Sequence, residues 1–203
     1  MSRQPDGPNA RTLRSYEAHV QDYIGATPAS VAGAMRDWIN TAVSGLPATA
    51  KILELGSGGG RDAAYLARKG FSVDCTDAAA GFVAHLRTLG FAARRLDILM
   101  DAPGEDYDLI LANAVLPHFG RDDFVFILER LRGALAPGGR FAFSLKTGDG
   151  EEWSERKIGA PRFFCYWRRE MLGPLLEAAG FATWRIGEAQ PAGWLYVIAR
   201  APS

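Results

Sequence analysis

The 203-residue chain is poor in several features that would mark particular kinds of protein. It has only two cysteines, Cys75 and Cys165, far apart and in no CxxC pair, which excludes a disulfide framework and the common cysteine metal spacings. Its start, MSRQPDGPNAR, is too polar for a secretory leader, so a reduced, cytoplasmic protein is expected. No apolar run approaches the roughly 18 residues of a membrane span, so no membrane partner is expected. Charge of one sign is never concentrated: 23 basic residues offset 23 acidic ones with no cluster of Lys or Arg, which disfavours a nucleic-acid surface. Of the three histidines, His19 and His85 pair with no other ligand at metal spacing, and no metal is expected. Internal repeats and low-complexity tracts are also missing.

What is there is a chain with 48% hydrophobic residues, enough to bury one substantial core. Residues 1–11 mix Pro, Gly, Asn and charges without periodicity and predict a loose arm ahead of a single domain over 12–203. Apolar and aromatic residues at helical spacing predict two N-terminal helices within 12–45, at 12–25 and 30–43. Thereafter apolar strands are expected near 51–55, 71–76, 92–96, 107–112 and 139–145. Helices are expected at 79–89 and 121–135. This alternation predicts a doubly wound α/β fold with a mostly parallel sheet and helices on both faces. Two last strands, near 181–187 and 194–200, are separated only by a turn at 190–193. They must pair antiparallel, because a parallel crossover needs about a dozen residues. The sheet is then seven-stranded. Gly173-Pro174 interrupts the helix expected before Gly180, which must kink or start late there.

The richest stretch is ILELGSGGGRDAAYLARKGFSVDCTDAA, residues 52–79. A glycine cluster between strand and helix lets a ligand approach the backbone and leaves free amides at the helix N-terminus. Two frames fit. Gly58, Gly60 and Ala63, with Asp77 farther on, match the dinucleotide fingerprint of a nicotinamide oxidoreductase, a weak signal alone. Glu54, Gly56, Gly58 and Gly60 instead give an acid followed by glycines at every second position, the first directly at the strand exit.

This second frame resembles the loop of class I S-adenosylmethionine (SAM) methyltransferases, and the resemblance extends from about Tyr16 to Ala199. Asp77 ends the second strand, "LDI" ends the third, "LANAVLPHF" follows the fourth, and "LLEAAGF" leads into the terminal strand pair. The resemblance implies that Glu54, Gly56, Ser57, Gly58 and Gly60 pack against the methionine part of SAM. Asp77, followed by Ala78, would bind both ribose hydroxyls, where a carboxylate accepts two charge-assisted bonds. Asp97 would accept from the adenine amino group, the Ile98 amide would donate to the ring, and Asn113 and Ala114 would border the methionine end. On the residues alone, Glu54 is equally explained by bonds to free loop amides, Asp97 by loop capping, and Arg61 by solvation.

SAM carries an activated methyl group, so the protein mainly positions a nucleophile, and a base is optional. His118, after the fourth strand and hence at the sheet's carboxyl edge, is the candidate catalytic base; a structural histidine beside Pro117 is the competing account. Tyr16 and Tyr23, seven residues apart, share a helix face. They are candidates to close over the cofactor, with core packing as the alternative. Residues 147–167 are expected as a polar loop and aromatic run forming a substrate-side lid. Arg162 and Tyr166, together with Tyr16, would contact substrate, and Phe163, Phe164 and Trp167 would enter the core. The absence of DPPY or NPPY after strand four disfavours adenine-type amino methylation. The absence of any Pro-Cys disfavours cytosine carbon-5 methylation. A small-molecule acceptor with an O, N or S nucleophile is therefore expected, the rivals being an NAD(P)-dependent oxidoreductase and a non-catalytic SAM-binding protein.

Overall fold

In the computed structural model, which describes residues 7–189 and 193–203, the chain starts with helix α1, Pro8–Ala18. Gly7 caps it in an extended conformation and Pro8 takes the first helical position, where its fixed φ and missing N–H are no handicap. The expected loose arm is therefore corrected for Pro8–Arg11, which form the first turn of α1; residues 1–6 lie outside the described residues. The single helix expected at 12–25 is broken at His19 (φ −129°, ψ 36°), whose Nδ1 is 2.9 Å from the Ser15 carbonyl. Helix α2, Val20–Gly25, follows, and then α3, Gly33–Val43.

The Rossmann-like core then unrolls as β1 (Ile52–Leu55), α4 (Arg61–Arg68), β2 (Val73–Asp77), α5 (Ala80–Thr88), β3 (Ala93–Arg95), β4 (Tyr107–Ala112), α6 (Arg121–Ala134) and β5 (Leu135–Thr147). The sheet order is β3-β2-β1-β4-β5, all parallel. It is closed by β9 (Trp194–Arg200) antiparallel to β5 and β8 (Thr183–Glu188) antiparallel to β9. These are the seven strands expected. Of the turn placed at 190–193, Gln190 to Ala192 lie outside the described residues.

Alternation along the strands divides the core in two. Leu53, Leu55, Phe141 and Phe143 pack on one face against Phe124, Ile127, Leu128 and Leu131 of α6, all fully or nearly fully buried. Each such side chain contributes roughly 1.5–3 kcal/mol of burial. Ile52, Leu109, Leu111 and Ala142 face α3 and α4 on the other side. Asp122 and Asp123 at the start of α6 and Arg132 near its end complement the helix dipole.

The segment expected as a polar loop and aromatic run at 147–167 forms a β-hairpin. Strand β6, Glu151–Ser154, pairs antiparallel with β7, Arg162–Trp167, and β7 joins the last two residues of β5. Its period-2 pattern escapes notice because both faces of RFFCYW are largely apolar. Phe163, Cys165 and Trp167 enter the core beside Leu145, whereas Arg162, Phe164 and Tyr166 point to the other face, where Phe164 is also buried. Pro174 falls in the first turn of α7, Leu172–Ala178, so the helix starts late, after a short 3₁₀ turn at Arg169–Met171.

Candidate active site

The strand order reverses between β1 and β4, and ligands of open α/β sheets bind at the carboxyl ends of such strands. The loop after β1 enters this crevice with Gly56, Gly58 and Gly60 at φ +67°, +53° and +80°. A Cβ on Gly56 would lie 2.5 Å from Val115 Cγ2, and one on Gly60 2.9 Å from Leu86 Cδ2, so side chains are excluded on two grounds. Asp77, the last residue of β2, sits across from this loop and is buried. Its Oδ2 accepts from Gly58 N at 3.0 Å and its Oδ1 from Ala79 N at 2.9 Å. A carboxylate has about four acceptor positions, so two bonds leave room for a ligand's hydroxyls. Burial pushes the Asp77 carboxyl up to about 6, although both amides favour its charged form.

Glu54 points to the α4 side of β1, fully enclosed, and its Oε2 has no hydrogen-bond partner. Capping of loop amides therefore does not account for that oxygen. Burial, reinforced by the negative charge of Asp62, pushes Glu54 up to about 8. Asp62 in turn accepts from Arg61 Nε at 2.6 Å and from Asn113 Nδ2 at 2.6 Å. Arg61 is thus partnered with its neighbour and is no free surface cation. Asn113 completes the network by accepting from Ser144 Oγ at 2.8 Å, and Ser144 accepts from Ala114 N at 2.8 Å. That bond holds Ala114 at φ +61°, a left-handed conformation costing a non-glycine residue roughly 1–2 kcal/mol. Ser144 was not anticipated as part of the site; its only signal was a lone hydroxyl in the apolar run RFAFSL.

Two neighbouring clefts share Gly56, Gly58, Tyr23 and Asn113 as walls. The first reaches Asp77, Ala78, Asp97, Ile98 and His118; the second reaches Glu54, Ser57 and Asp62. Asp97 also caps its own turn, Oδ1 accepting from Leu99 N at 3.0 Å. Tyr16 and Tyr23 meet despite the helix break: their rings are edge to face with centroids 5.2 Å apart, and Tyr23 also packs on Phe82. Tyr23 Cε1 lies 3.4 Å from where a Gly58 Cβ would stand, so Tyr23 covers the glycine loop. The Lys157 ammonium occupies its ring face at 3.6 Å.

His118 ends a 3₁₀ turn, Leu116–His118, and is buried. Its Nδ1 is 2.7 Å from the Phe163 carbonyl and its Nε2 is 2.7 Å from the Tyr16 hydroxyl. A carbonyl only accepts, so Nδ1 carries the proton. Burial holds the ring neutral by pushing its pKa down to about 4, and Nε2 then accepts from Tyr16. Burial first, and Tyr23 second, push the Tyr16 hydroxyl up. Arg162, also buried, brings Nη1 to 3.5 Å of that hydroxyl. Tyr166 does not join the group: its hydroxyl donates to Glu152 on β6. Among the described residues no group of three or more His, Cys, Asp or Glu could hold a metal ion, and no helix is long and apolar enough to cross a membrane.

A doubly wound sheet with an acid at the end of β2, a glycine-walled crevice and a terminal antiparallel pair is a Rossmann-like fold with a crevice suited to a nucleotide-type cofactor. The family model described as "Methyltransferase domain" matches residues 29–186, and the chain belongs to that family. It is a SAM-dependent methyltransferase, which sets aside the dinucleotide frame. No curated protein sequence matches the chain. Among solved structures it is similar to DhpI in complex with SAM and HEP, at 21% identity and TM-score 0.77 over 98% of this chain and 100% of that one. It is also similar to the Burkholderia thailandensis 1,6-didemethyltoxoflavin-N1-methyltransferase with bound 1,6-didemethyltoxoflavin and S-adenosylhomocysteine (SAH). There the identity is 22% and the TM-score 0.70, over 100% and 94% of the two chains. The glycopeptide N-methyltransferase MtfA with SAH aligns at 16% identity and TM-score 0.65, over 84% and 91%.

Proposed function

We propose that the chain methylates an O, N or S nucleophile of a small-molecule acceptor, with Asp77 holding the ribose of SAM. The observation that carries this reading is the buried Asp77 carboxylate, clamped by the Gly58 and Ala79 amides and facing a crevice whose three glycines take left-handed φ, two of them also without room for a Cβ. The group fits the residues present: the Asp62 carboxylate supplies negative charge, and the unpartnered Glu54 Oε2 a free hydrogen-bonding atom, beside the glycine loop, where the methionine ammonium would lie. SAM, when bound, supplies a methyl group whose bond to sulfur breaks as the acceptor's lone pair takes the carbon, leaving SAH.

The remaining assignments follow the walls of the two cavities. Asp97 and the Ile98 amide would meet adenine, and Ala78 would lie beside the ribose. Gly56, Ser57, Gly58 and Gly60 would cradle the methionine part, Asn113 and Ala114 would border its end, and Tyr23 would cover the sulfonium. Tyr16, not His118, presents its hydroxyl to the acceptor. His118 Nε2 is already engaged by that hydroxyl, so a proton leaving the acceptor would pass to Tyr16 as Tyr16 passes its own to His118. The small-molecule part is supported by the crevice beside Asp77 and by the similar Burkholderia thailandensis enzyme, which holds 1,6-didemethyltoxoflavin.

Calorimetric titration with SAH and NADH tests the cofactor site: SAH is expected to bind and NADH not. NADH binding without SAH binding would overturn it. SAH release from SAM across a panel of small hydroxyl, amine and thiol acceptors tests turnover. Binding without release for any of them would favour the non-catalytic rival.

A further inference from the structure

Three cations outside the cofactor walls converge on the Tyr16–His118 pair, and the register of β5 and β7 explains how. Lys146 is directly paired with Tyr166, so their side chains share one sheet face, and Arg162 and Phe164 lie on that face two and one alternations back. Ser144, which anchors Asn113, is on it too, two residues before Lys146. The face therefore runs from the methionine end of the crevice to Arg162. Phe164 is the hub: His118 lies 4.8 Å from its ring centroid, the Lys146 ammonium 4.7 Å and the Arg162 guanidinium 5.1 Å. Lys157 approaches from the opposite side on Tyr23, donating to Thr27 Oγ1 at 2.7 Å.

This positive charge is not neutralised from within. Among the described residues none of the three cations forms an ion pair. The one carboxylate acting on Lys146 is Glu152, already bonded by Tyr166. Arg162 is 6% exposed, yet its Nε has no hydrogen-bond partner. A buried guanidinium N–H left unpaired beside two other cations is costly unless a ligand completes it. Burial and the charge of Arg162 both lower Lys157, to about 8, and Lys146 is lowered by burial first as well. Arg162, Lys146 and Lys157 all act on His118.

We propose that the acceptor carries an anionic group, a carboxylate or a phosphate-type oxyanion, that seats on Arg162 with Lys146 and Lys157 beside the Tyr16–His118 pair. Arg162 offers the fork suited to oxyanions, and the lysines add point charge. This deepens the methyltransferase reading and rests on it for the role of the ligand. The anion serves as the anchor that holds the acceptor next to the methyl donor.

The test is an NMR titration of the His118 ring, assigned with His118→Asn, in the free and SAH-loaded protein. Inorganic phosphate, trifluoroacetate (a carboxylate that stays ionised near pH 4) and chloride are compared at equal ionic strength. Phosphate or trifluoroacetate is expected to raise the His118 midpoint by about one pH unit and saturably, because an anion offsets three neighbouring cations. Chloride is expected not to. A stronger response to phosphate points to a phosphate-type group, a stronger response to trifluoroacetate to a carboxylate. The Lys146→Met/Lys157→Met double variant is expected to weaken the anion response at least about tenfold. It avoids Arg162, whose replacement in the core threatens folding. No saturable shift with either anion, or an unchanged response in the double variant, would overturn the proposal. SAH binding is followed on the same samples: its loss in the wild-type protein would count against the cofactor reading alone, since the anion response is also read without SAH.

Discussion

The two halves of the crevice are assembled over very different chain distances. In the half built by β1 and β2, Asp77 is bonded to Gly58 and Ala79, 19 and two residues away, and Thr76 Oγ1 reaches the Glu54 carbonyl over 22. In the half built by α1, β5 and β7, Tyr16 meets His118 over 102 residues and Arg162 over 146. Thr12 Oγ1 accepts from Phe163 N over 151, and Ser15 Oγ donates to the Pro161 carbonyl over 146. A site made of adjacent turns can be recognised from spacing; one stitched between chain ends cannot. The first half is shaped for one cofactor, whereas the second depends on how α1 and the β6–β7 hairpin are laid over the sheet.

The largest effect should come from Asp77→Ala. Two charge-assisted hydrogen bonds at roughly 1.5–3 kcal/mol each put the loss of SAH affinity at about 100-fold or more by calorimetry. Unchanged affinity would remove the ribose assignment. Gly56→Ala should follow: a positive φ and the clash with Val115 together cost on the order of 2 kcal/mol, lowering Tm by roughly 4–8 °C. Adding Val115→Ala should recover part of that loss, and no recovery would mean that φ strain alone governs the loop.

Tyr16→Phe probes the long-range half. It leaves the hydroxyl relay without its first member and should lower kcat about tenfold or more while SAH affinity stays nearly constant. His118→Asn should do the same, and combining the two should add little; additive losses would show that the pair does not act as a unit.

The smallest effect is a pH dependence. Glu54 is raised in the fold, so its contribution to stability is fully present below about 4.5 and lost as pH rises through about 8. His118 is depressed, so its contribution is present above 6.5 and lost as pH falls through about 4. Denaturant midpoints of Glu54→Gln should therefore decline less between pH 5 and 8 than those of the wild type. Parallel curves would show that Glu54 ionises freely in the fold.

Much of the fold was legible. Apolar strands alternating with helical periodicity implied the parallel sheet, and the shortness of the segment between β8 and β9 forced the antiparallel pair. The start of α1 was missed because a Gly-Pro pair looks like a breaker unless the proline falls at the first helical position. The β6–β7 hairpin was missed because a strand with apolar residues on both faces loses its alternating signature. His118 was placed at the correct edge of the sheet, but nothing in NAVLPHF indicates that its Nε2 would be taken by a tyrosine near the other end of the chain.

The sequence by itself determined the class of sheet, the glycine turn and the acid facing it, because these depend on backbone conformation and neighbours within one βαβ unit. The tertiary structure alone decided that Ser144 orients Asn113 and that the Tyr16 hydroxyl engages His118 Nε2 at the cavity wall. It alone gathered Arg162, Lys146 and Lys157 about one phenylalanine and one tyrosine. Those relations require burial and the meeting of distant segments, and they set protonation states and charge through desolvation, which no local pattern of residues encodes.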